Sequence, residues 1–262
     1  MTTIGLMHPG EMGAALGARL RERGHAVAWA AEGRSGATRA RAAAAGLRDA
    51  GAIGAFLDEC AVVLSVCPPH AALEVARAVA GYRGVFVDAN AVSPATAAQI
   101  GRVVEDGGAR FVDGGIVGPP PERAGTTRLY LSGGAASDVA ALFAGTPVEA
   151  PVLGAEPGTA SALKMAYAAW TKGTAAMLLA IRDAARAAGV EDALLAEWER
   201  SQPDVPARLA AADDAATRKG WRWVAEMEEI AATLAASGQP DGFHRAAAEI
   251  FGAYDAPGAR RR

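Results

Sequence analysis

The 262-residue sequence lacks several features that would place it in particular classes of protein. It has two cysteines, Cys60 and Cys67, too few for a disulfide framework, and no metal-ligand spacing. The formal net charge is −3, so electrostatics give no reason to expect nucleic acid or an anionic membrane as a partner. No apolar run is long enough to span a bilayer, and no signal peptide opens the chain. We expect a soluble cytoplasmic protein without a metal.

The composition is that of a globular chain, with 51% hydrophobic and 21% charged residues. This length accommodates one large domain or two modest ones, each with its own core. Alanine is abundant, which favours helices but blurs the periodicity that identifies their buried faces.

The first 24 residues carry the most informative pattern. Residues 3–7 predict a buried strand, 8–13 a tight glycine turn and 14–23 a helix. This order is typical of a dinucleotide-binding unit, because a glycine lets the backbone approach a pyrophosphate and the helix N–H groups bind the anion. His8 replaces the first glycine of G-x-G-x-x-G, whereas Gly10 and Gly13 keep the second and third. The predicted contacts to the cofactor here are His8, Pro9, Gly10, Glu11 and Met12.

The end of the second strand, residues 26–30, indicates which nicotinamide cofactor binds. An NAD site usually places a carboxylate there for the adenosine ribose, but the sequence has Ala30 and Ala31. Arg34, Ser35 and Arg39 follow and suit the 2′-phosphate of NADP. Glu32 keeps NAD open as an alternative, because its carboxylate could serve the ribose. We predict NADP as the cofactor, with NADPH preferred over NADH and with Arg34 and Ser35 in contact with it.

Further apolar segments predict an α/β fold, a doubly wound and mostly parallel Rossmann sheet. Strands are expected over residues 61–66, 85–87, 111–113, 129–134 and 148–153, and the Gly- and Pro-rich segment 114–121 is expected to be a loop beside the ligand crevice. Composition changes near Pro157. One long helix is then predicted from Gly158 to Ala188, ended by Gly189, and the rest reads as helical. The predicted domains are a Rossmann domain, residues 1–154, and an all-helical substrate and dimerisation domain, residues 155–262.

Several landmarks occur in the order found in one enzyme superfamily. The turn at residues 8–13 resembles G-L-G-x-M-G, and residues 88–94 resemble D-x-S-T-x-x-P. Residues 113–119 resemble D-A-P-V-S-G-G, and residues 125–134 resemble the G-T-L strand and G-G turn that follow it. From about residue 3 to 190 the chain therefore resembles the β-hydroxyacid dehydrogenase superfamily, which includes 6-phosphogluconate and 3-hydroxyisobutyrate dehydrogenases. The remaining residues resemble the divergent C-terminal domain of a poorly characterised branch.

The resemblance assigns roles to particular residues. Lys164 falls where the family has its catalytic lysine, and Tyr167, one helical turn later, is a possible second proton donor. Implied cofactor contacts are Cys67, Pro68 and Asn90, and implied substrate contacts are Val117, Gly118 and Ser161. The sequence also departs from the family: its loop serine falls on Val117, and the asparagine that follows the lysine falls on Ala168. These departures put ordinary 3-hydroxyacid chemistry in question.

Three functions stay open. The first is an NADP(H)-dependent dehydrogenase or reductase acting on a small hydroxy acid or its oxo form. The second is an imine reductase on the same fold, and the third is a non-catalytic dinucleotide-binding sensor. We also expect a homodimer through the helical domain, because that domain must cover Trp221, Trp223, Phe243 and Phe251.

Overall fold

The structure is a computed structural model, and it describes residues 2–254. The chain divides into two compact units, the first ending at Lys164 and the second beginning at Met165. Within the described residues, no helix combines the length and the apolar character that crossing a membrane requires.

The first unit is built on one sheet of nine strands. The strands are β1 (Thr3–Leu6), β2 (Ala26–Trp29), β3 (Arg48–Asp49), β4 (Val62–Ser65), β5 (Val85–Asp88), β6 (Arg110–Val117), β7 (Thr127–Ser132), β8 (Val148–Glu149) and β9 (Val152–Gly154). Their order is β3-β2-β1-β4-β5-β6-β7-β8, with β9 also paired to β7. Only the β6–β7 pair within this sheet is antiparallel. The predicted doubly wound, mostly parallel sheet is confirmed.

Helices cover both faces of this sheet. They are α1 (Glu11–Glu22), α2 (Gly36–Ala44), α3 (Ile53–Glu59), α4 (Ala72–Ala78), α5 (Pro94–Asp106) and α6 (Ala136–Leu142). The strands alternate between two cores: Val62 and Leu64 of β4 belong to one, and Val63 belongs to the other. Because both faces are buried, the strands read as continuous apolar runs rather than as alternating patterns.

Two local predictions were wrong, and two short elements escaped prediction. Residues 114–117 are not loop, because they extend β6 and pair with β7, with Gly115 opposite Tyr130. Strand β3 is exposed and only two residues long, and α3 has only seven residues. Both elements are too short for the sequence to show a periodic pattern. Helix α1 begins at Glu11 rather than at Ala14, because its first turn belongs to the glycine turn itself.

The second unit is helical throughout its described part. Helix α7 (Thr159–Ala187) continues into it from the first unit, and α8 (Glu191–Ser201), α9 (Val205–Lys219), α10 (Trp223–Ala236) and α11 (Gly242–Gly252) follow. The predicted long helix and its end at Gly189, where φ is +71°, are confirmed. The predicted boundary near residue 154 precedes α7, whereas the units divide within that helix.

Aromatic side chains of the second unit are buried to very different extents. Phe251 is fully buried and meets Trp223 edge to face, with ring centroids 4.9 Å apart, whereas Phe243 is 45% exposed. One chain therefore buries part of the aromatic set on which the homodimer prediction relied. Lys172 forms an ion pair with Glu226 inside this unit.

Candidate cofactor and active site

The sheet order reverses between β1 and β4, where neighbouring connections leave in opposite directions and open a crevice at the carboxyl ends of the strands. The turn after β1 lies at this point. Gly10 is the N-cap of α1, and no side chain caps the helix there. A Cβ atom added to Gly10 would meet nothing within 4 Å, whereas one added to Gly13 would lie 2.4 Å from the carbonyl oxygen of His8. Gly13 is therefore needed for packing, and Gly10 leaves room for a ligand above the helix N–H groups.

His8 occupies the place of the first glycine and is half-buried. Its Nδ1 atom is buried and has no hydrogen-bond partner among the described residues. Burial, and secondarily the positive charge of Arg34, lower the pKa of His8 to about 4. The imidazole is therefore neutral at physiological pH and has one hydrogen-bonding nitrogen in reserve at the turn.

Three arginines follow β2 and have different surroundings. Arg39 donates to the carbonyl of Ala31 at 2.6 Å and pairs with Asp49, which ties it to the end of the strand. Arg41 donates to the carbonyl of Pro9 at 3.1 Å and so braces the glycine turn. The guanidinium of Arg34 has no hydrogen bond or ion pair within residues 2–254, and its charge influences both His8 and Cys67.

Ser35 is the N-cap of α2, where its hydroxyl accepts from the N–H of Thr38. It is exposed, so a cofactor can also reach it. Among the residues predicted to bind the 2′-phosphate, Arg34 is the one whose side chain has no hydrogen bond or ion pair within the described part of the chain, and its charge acts on His8 and Cys67.

Asn90 connects the carboxyl ends of β4 and β5. Its Oδ1 accepts from the N–H of Cys67 at 2.5 Å, and its Nδ2 donates to Ser65 at 3.1 Å and to Asp88 at 2.5 Å. Asn90 is 2% exposed, so its visible role is to hold the Cys67–Pro68 turn in shape. Pro68 is exposed at that turn. Burial and the nearby Asp88 raise the pKa of Cys67 to about 12, so its thiol is not a nucleophile.

The predicted substrate loop has a firm base and an exposed tip. Val117 ends β6 and is 3% exposed, and its apolar side chain cannot hydrogen-bond to a substrate. Gly118 is exposed with φ of +116°, and a Cβ there would lie 2.1 Å from the carbonyl oxygen of Thr126. This position therefore requires glycine. Contact of either residue with substrate stays a prediction.

Lys164 lies on the first part of α7, beside β6. A Cβ atom added to Gly115 would lie 2.9 Å from the Cβ of Lys164 and 2.8 Å from the carbonyl oxygen of Ala160. Neighbouring Gly114 faces the backbone of Asp88 and Ala89, just past the end of β5. Two glycines in β6 therefore let the lysine-bearing helix and the end of β5 approach the strand closely.

Ser161 and Tyr167 differ from Lys164 in their surroundings. Ser161 is fully buried and its hydroxyl donates to Asp113 at 2.5 Å, a bond that a substrate acceptor such as a carboxylate would have to replace. Tyr167 is 46% exposed. Their roles toward substrate and proton stay predictions.

Two residues of this region escaped the sequence reasoning. Arg41 gave no signal, because its contact with Pro9 joins residues 32 positions apart. Asp113 stands at the start of the motif at residues 113–119, and only the structure shows that it gathers four donors. In the second unit, the buried His244 lies within 3.2 Å of the carbonyl of Ala169, a contact the sequence did not reveal.

The fold and the glycine turn define a dinucleotide-binding protein with a helical second unit. Residues 2–144, more than half of the chain, match the family described as the NAD binding domain of 6-phosphogluconate dehydrogenase, and residues 185–253 match a domain of unknown function, DUF1932. The chain belongs to this NAD-binding family. The predicted relationship and the divergent C-terminal domain are confirmed.

Individual relatives agree with this assignment. An uncharacterised 28.5 kDa protein of Methanothermus fervidus is 34% identical over 143 residues, about half the length (54%) of each chain. The conserved protein MTH1747, of unknown function and described as structurally similar to 3-hydroxyacid dehydrogenases, is 30% identical with a TM-score of 0.70, over 95% of both chains. A reductive aminase from Aspergillus terreus, solved with NADPH and ethyl levulinate, is 20% identical with a TM-score of 0.62, over 96% of this chain and 93% of its own. This last likeness concerns the fold alone.

Proposed function

We propose that this protein is an NADP(H)-dependent oxidoreductase that transfers a hydride between the nicotinamide and a small hydroxy acid or its oxo form. The observation that carries the proposal is the place of Lys164. The Cβ of Lys164 packs against Gly115 of β6, in the unit that also contains the glycine turn. Strand β6 pairs with β5, and the chain leads from the carboxyl end of β5 to Asn90. An amine at this edge of the sheet can protonate the oxygen or nitrogen that develops negative charge during hydride transfer.

The rarity of lysine adds weight to this role. Lysine accounts for three of the 26 cationic side chains, Lys164, Lys172 and Lys219, and arginine for the other 23. A guanidinium cannot release a proton near neutral pH, whereas an ammonium can. A lysine at the family's catalytic position in an arginine-dominated chain therefore favours proton transfer over simple charge. Tyr167, one turn further along α7, is the second candidate donor.

The nicotinamide cofactor supplies the hydride donor or acceptor, and the residues of the crevice fit it. The uncapped start of α1 offers backbone N–H groups to the pyrophosphate, and the open space at Gly10 leaves room for it. The unpartnered guanidinium of Arg34 suits a 2′-phosphate, and Ala30 and Ala31 offer no carboxylate to the ribose. NADPH is therefore the proposed preference. Glu32, exposed nearby, is the feature that would favour NADH.

A second candidate function is reduction of an imine. The family's serine is replaced by the buried Val117, and its asparagine by Ala168, which is 1% exposed. Neither side chain can orient a carboxylate by hydrogen bonding, so a substrate without one fits these replacements better. The reductive aminase fold supports this alternative. A non-catalytic sensor is the third possibility, and the retained Lys164 argues against it.

We also propose that the protein is a cytoplasmic homodimer through its helical unit. Both cysteines are free thiols, as expected in a reducing compartment. Four side chains of α7 spaced as one helical stripe are 40–64% exposed: Tyr167, Trp170, Met177 and Ile181. A second copy of the chain would bury such a stripe.

The test is NADPH consumption by the purified protein with a panel of short oxo acids and cyclic imines, run beside NADH. Turnover of oxo acids supports the hydroxyacid proposal, and turnover of imines alone supports the second candidate. Tight NADPH binding with no turnover of either class would favour the sensor. Lys164→Arg is the matched variant, because it keeps the charge but removes the proton donor.

A further inference from the structure

Asp113 lies where the sheet meets the first turn of α7, and it is fully buried. Its Oδ2 accepts from the N–H groups of Gly158 and Ser161 and from the hydroxyl of Ser132, each at 2.9 Å. Its Oδ1 accepts from the hydroxyl of Ser161 at 2.5 Å. The carboxylate thus gathers four donors, three of them from the start of one helix.

This arrangement differs from an ordinary helix cap. A helix is usually capped by the side chain of its own N-cap residue, but α7 is preceded by Gly158, which has no side chain. The cap is supplied instead by β6 and β7, because Asp113 holds the N–H of Ser161 and Ser132 holds that of Ala160 at 3.1 Å. A cap of this kind fixes where the helix lies on the sheet, in addition to satisfying the N–H groups of its first turn.

Burying a carboxylate has a cost that a local serine or asparagine cap would avoid. The distant carboxylate therefore indicates that placing the helix on the sheet matters more than capping its first turn. What lies one turn further along the helix is Lys164, whose Cα is about 4.5 Å along the axis from that of Ser161. Asp113 and Gly115 are two residues apart on β6, so both face α7. The Cβ of Lys164 packs against Gly115.

We propose that Asp113 is a positioning residue that holds α7 on β6 so that Lys164 reaches the reacting atoms. The inference rests on the proposed role of Lys164. Asp113 does not touch the substrate in this account. It acts only by fixing the register between helix and strand, and a displacement near 1 Å can lower turnover about 100-fold.

The test compares Asp113→Asn with the natural protein, because an asparagine keeps the shape but turns an amide N–H₂ toward donors. Three lysines allow a direct readout: reductive methylation with ¹³C-formaldehyde labels the lysine amines, and Lys172→Arg and Lys219→Arg variants assign the signals. We expect the Lys164 resonance to move and that of Lys219 to stay. With any substrate turned over, kcat should fall about 10- to 100-fold while the Kd for NADPH stays within about twofold.

Two further variants separate positioning from general destabilisation. Ser132→Ala is milder, since it removes one bond to Asp113 and one to Ala160, and should move the same resonance less. Tyr82→Phe is the control, because it deletes a buried hydrogen bond to the carbonyl of Cys60 at the amino end of the sheet. In a Lys164→Ala background, Asp113→Asn should cause no further loss of kcat.

The inference is overturned if the Lys164 resonance is unchanged in Asp113→Asn, or if Tyr82→Phe moves it equally. Because the resonance needs no substrate, this result stands even if no member of the panel is turned over. A shifted resonance without any turnover would support the positioning and refute the proposed oxidoreductase activity.

Discussion

Replacing Arg34 with alanine tests the cofactor assignment at a single side chain. No protein group holds this guanidinium within the described residues, yet its positive charge acts to lower the pKa of both His8 and Cys67. A charge-assisted hydrogen bond to a phosphate contributes about 1.5–3 kcal/mol. Arg34→Ala should therefore weaken NADPH binding roughly 10- to 150-fold. NADH lacks the 2′-phosphate, so its Kd should change little.

The assay is a fluorescence titration of both cofactors against the natural protein and two variants. Arg39→Ala is the matched control, because Arg39 is already bound to Ala31 and Asp49. It should lower thermal stability slightly and leave the ratio of NADPH to NADH affinity unchanged. Equal affinity of the natural protein for both cofactors, or an Arg34→Ala variant with unaltered NADPH affinity, would refute the reasoning.

Three further predictions follow from burial and exposure. Burial lowers the pKa of His8 from 6.5 in the unfolded chain to about 4 in the fold, so the fold favours the neutral imidazole. The stability of the fold is therefore fully retained above pH 6.5 and is lost progressively as the pH falls toward 4. The loss should be about 1–3 kcal/mol in acid denaturation curves, and His8→Gly should show a shallower decline; an equal decline would contradict it. Cys60 and Cys67, whose pKa values burial raises to about 12, should resist a thiol reagent at pH 8 until the chain is unfolded, and rapid labelling of the native protein would be inconsistent with this burial. Trp170→Glu should convert the proposed homodimer to monomer in sedimentation, whereas a natural protein already monomeric at micromolar concentration would rule that dimer out.

The positions of most parallel strands along the chain could be predicted because they depend on local patterns. Val62–Ser65 and Val85–Asp88 are buried on both faces and therefore read as unbroken apolar runs. The glycine turn has a spacing that physics ties to phosphate binding. The prediction for residues 114–117 was wrong for the converse reason. Their two glycines suggested a loop, whereas in the fold they leave room for α7 and the end of β5 to pack closely against the strand. Only tertiary contacts distinguish these two uses of glycine.

The candidate site divides in the same way. Lys164 could be identified because its position resembles that of the family's catalytic lysine. Its packing against Gly115 could not be predicted, because that contact joins distant parts of the chain. The roles of Arg41 and Asp113 depend on partners 32 and 45–48 residues away, and a single sequence carries no record of such pairs. The pairing of Lys172 with Glu226 likewise joins distant parts of the chain, and only the folded unit shows it.

The turnover of Lys164→Ala on the best substrate of the panel, followed as deuterium transfer from 4-deuterated NADPH, tests the central claim most directly. If Lys164 is the proton donor, turnover should fall about 10²- to 10⁴-fold while the Kd for NADPH stays close to that of the natural protein, and Lys164→Arg should not restore it. Tyr167→Phe is the control and should lose less; a loss as large as that of Lys164→Ala would move the donor role to the tyrosine. Near-normal deuterium transfer by Lys164→Ala would contradict the account.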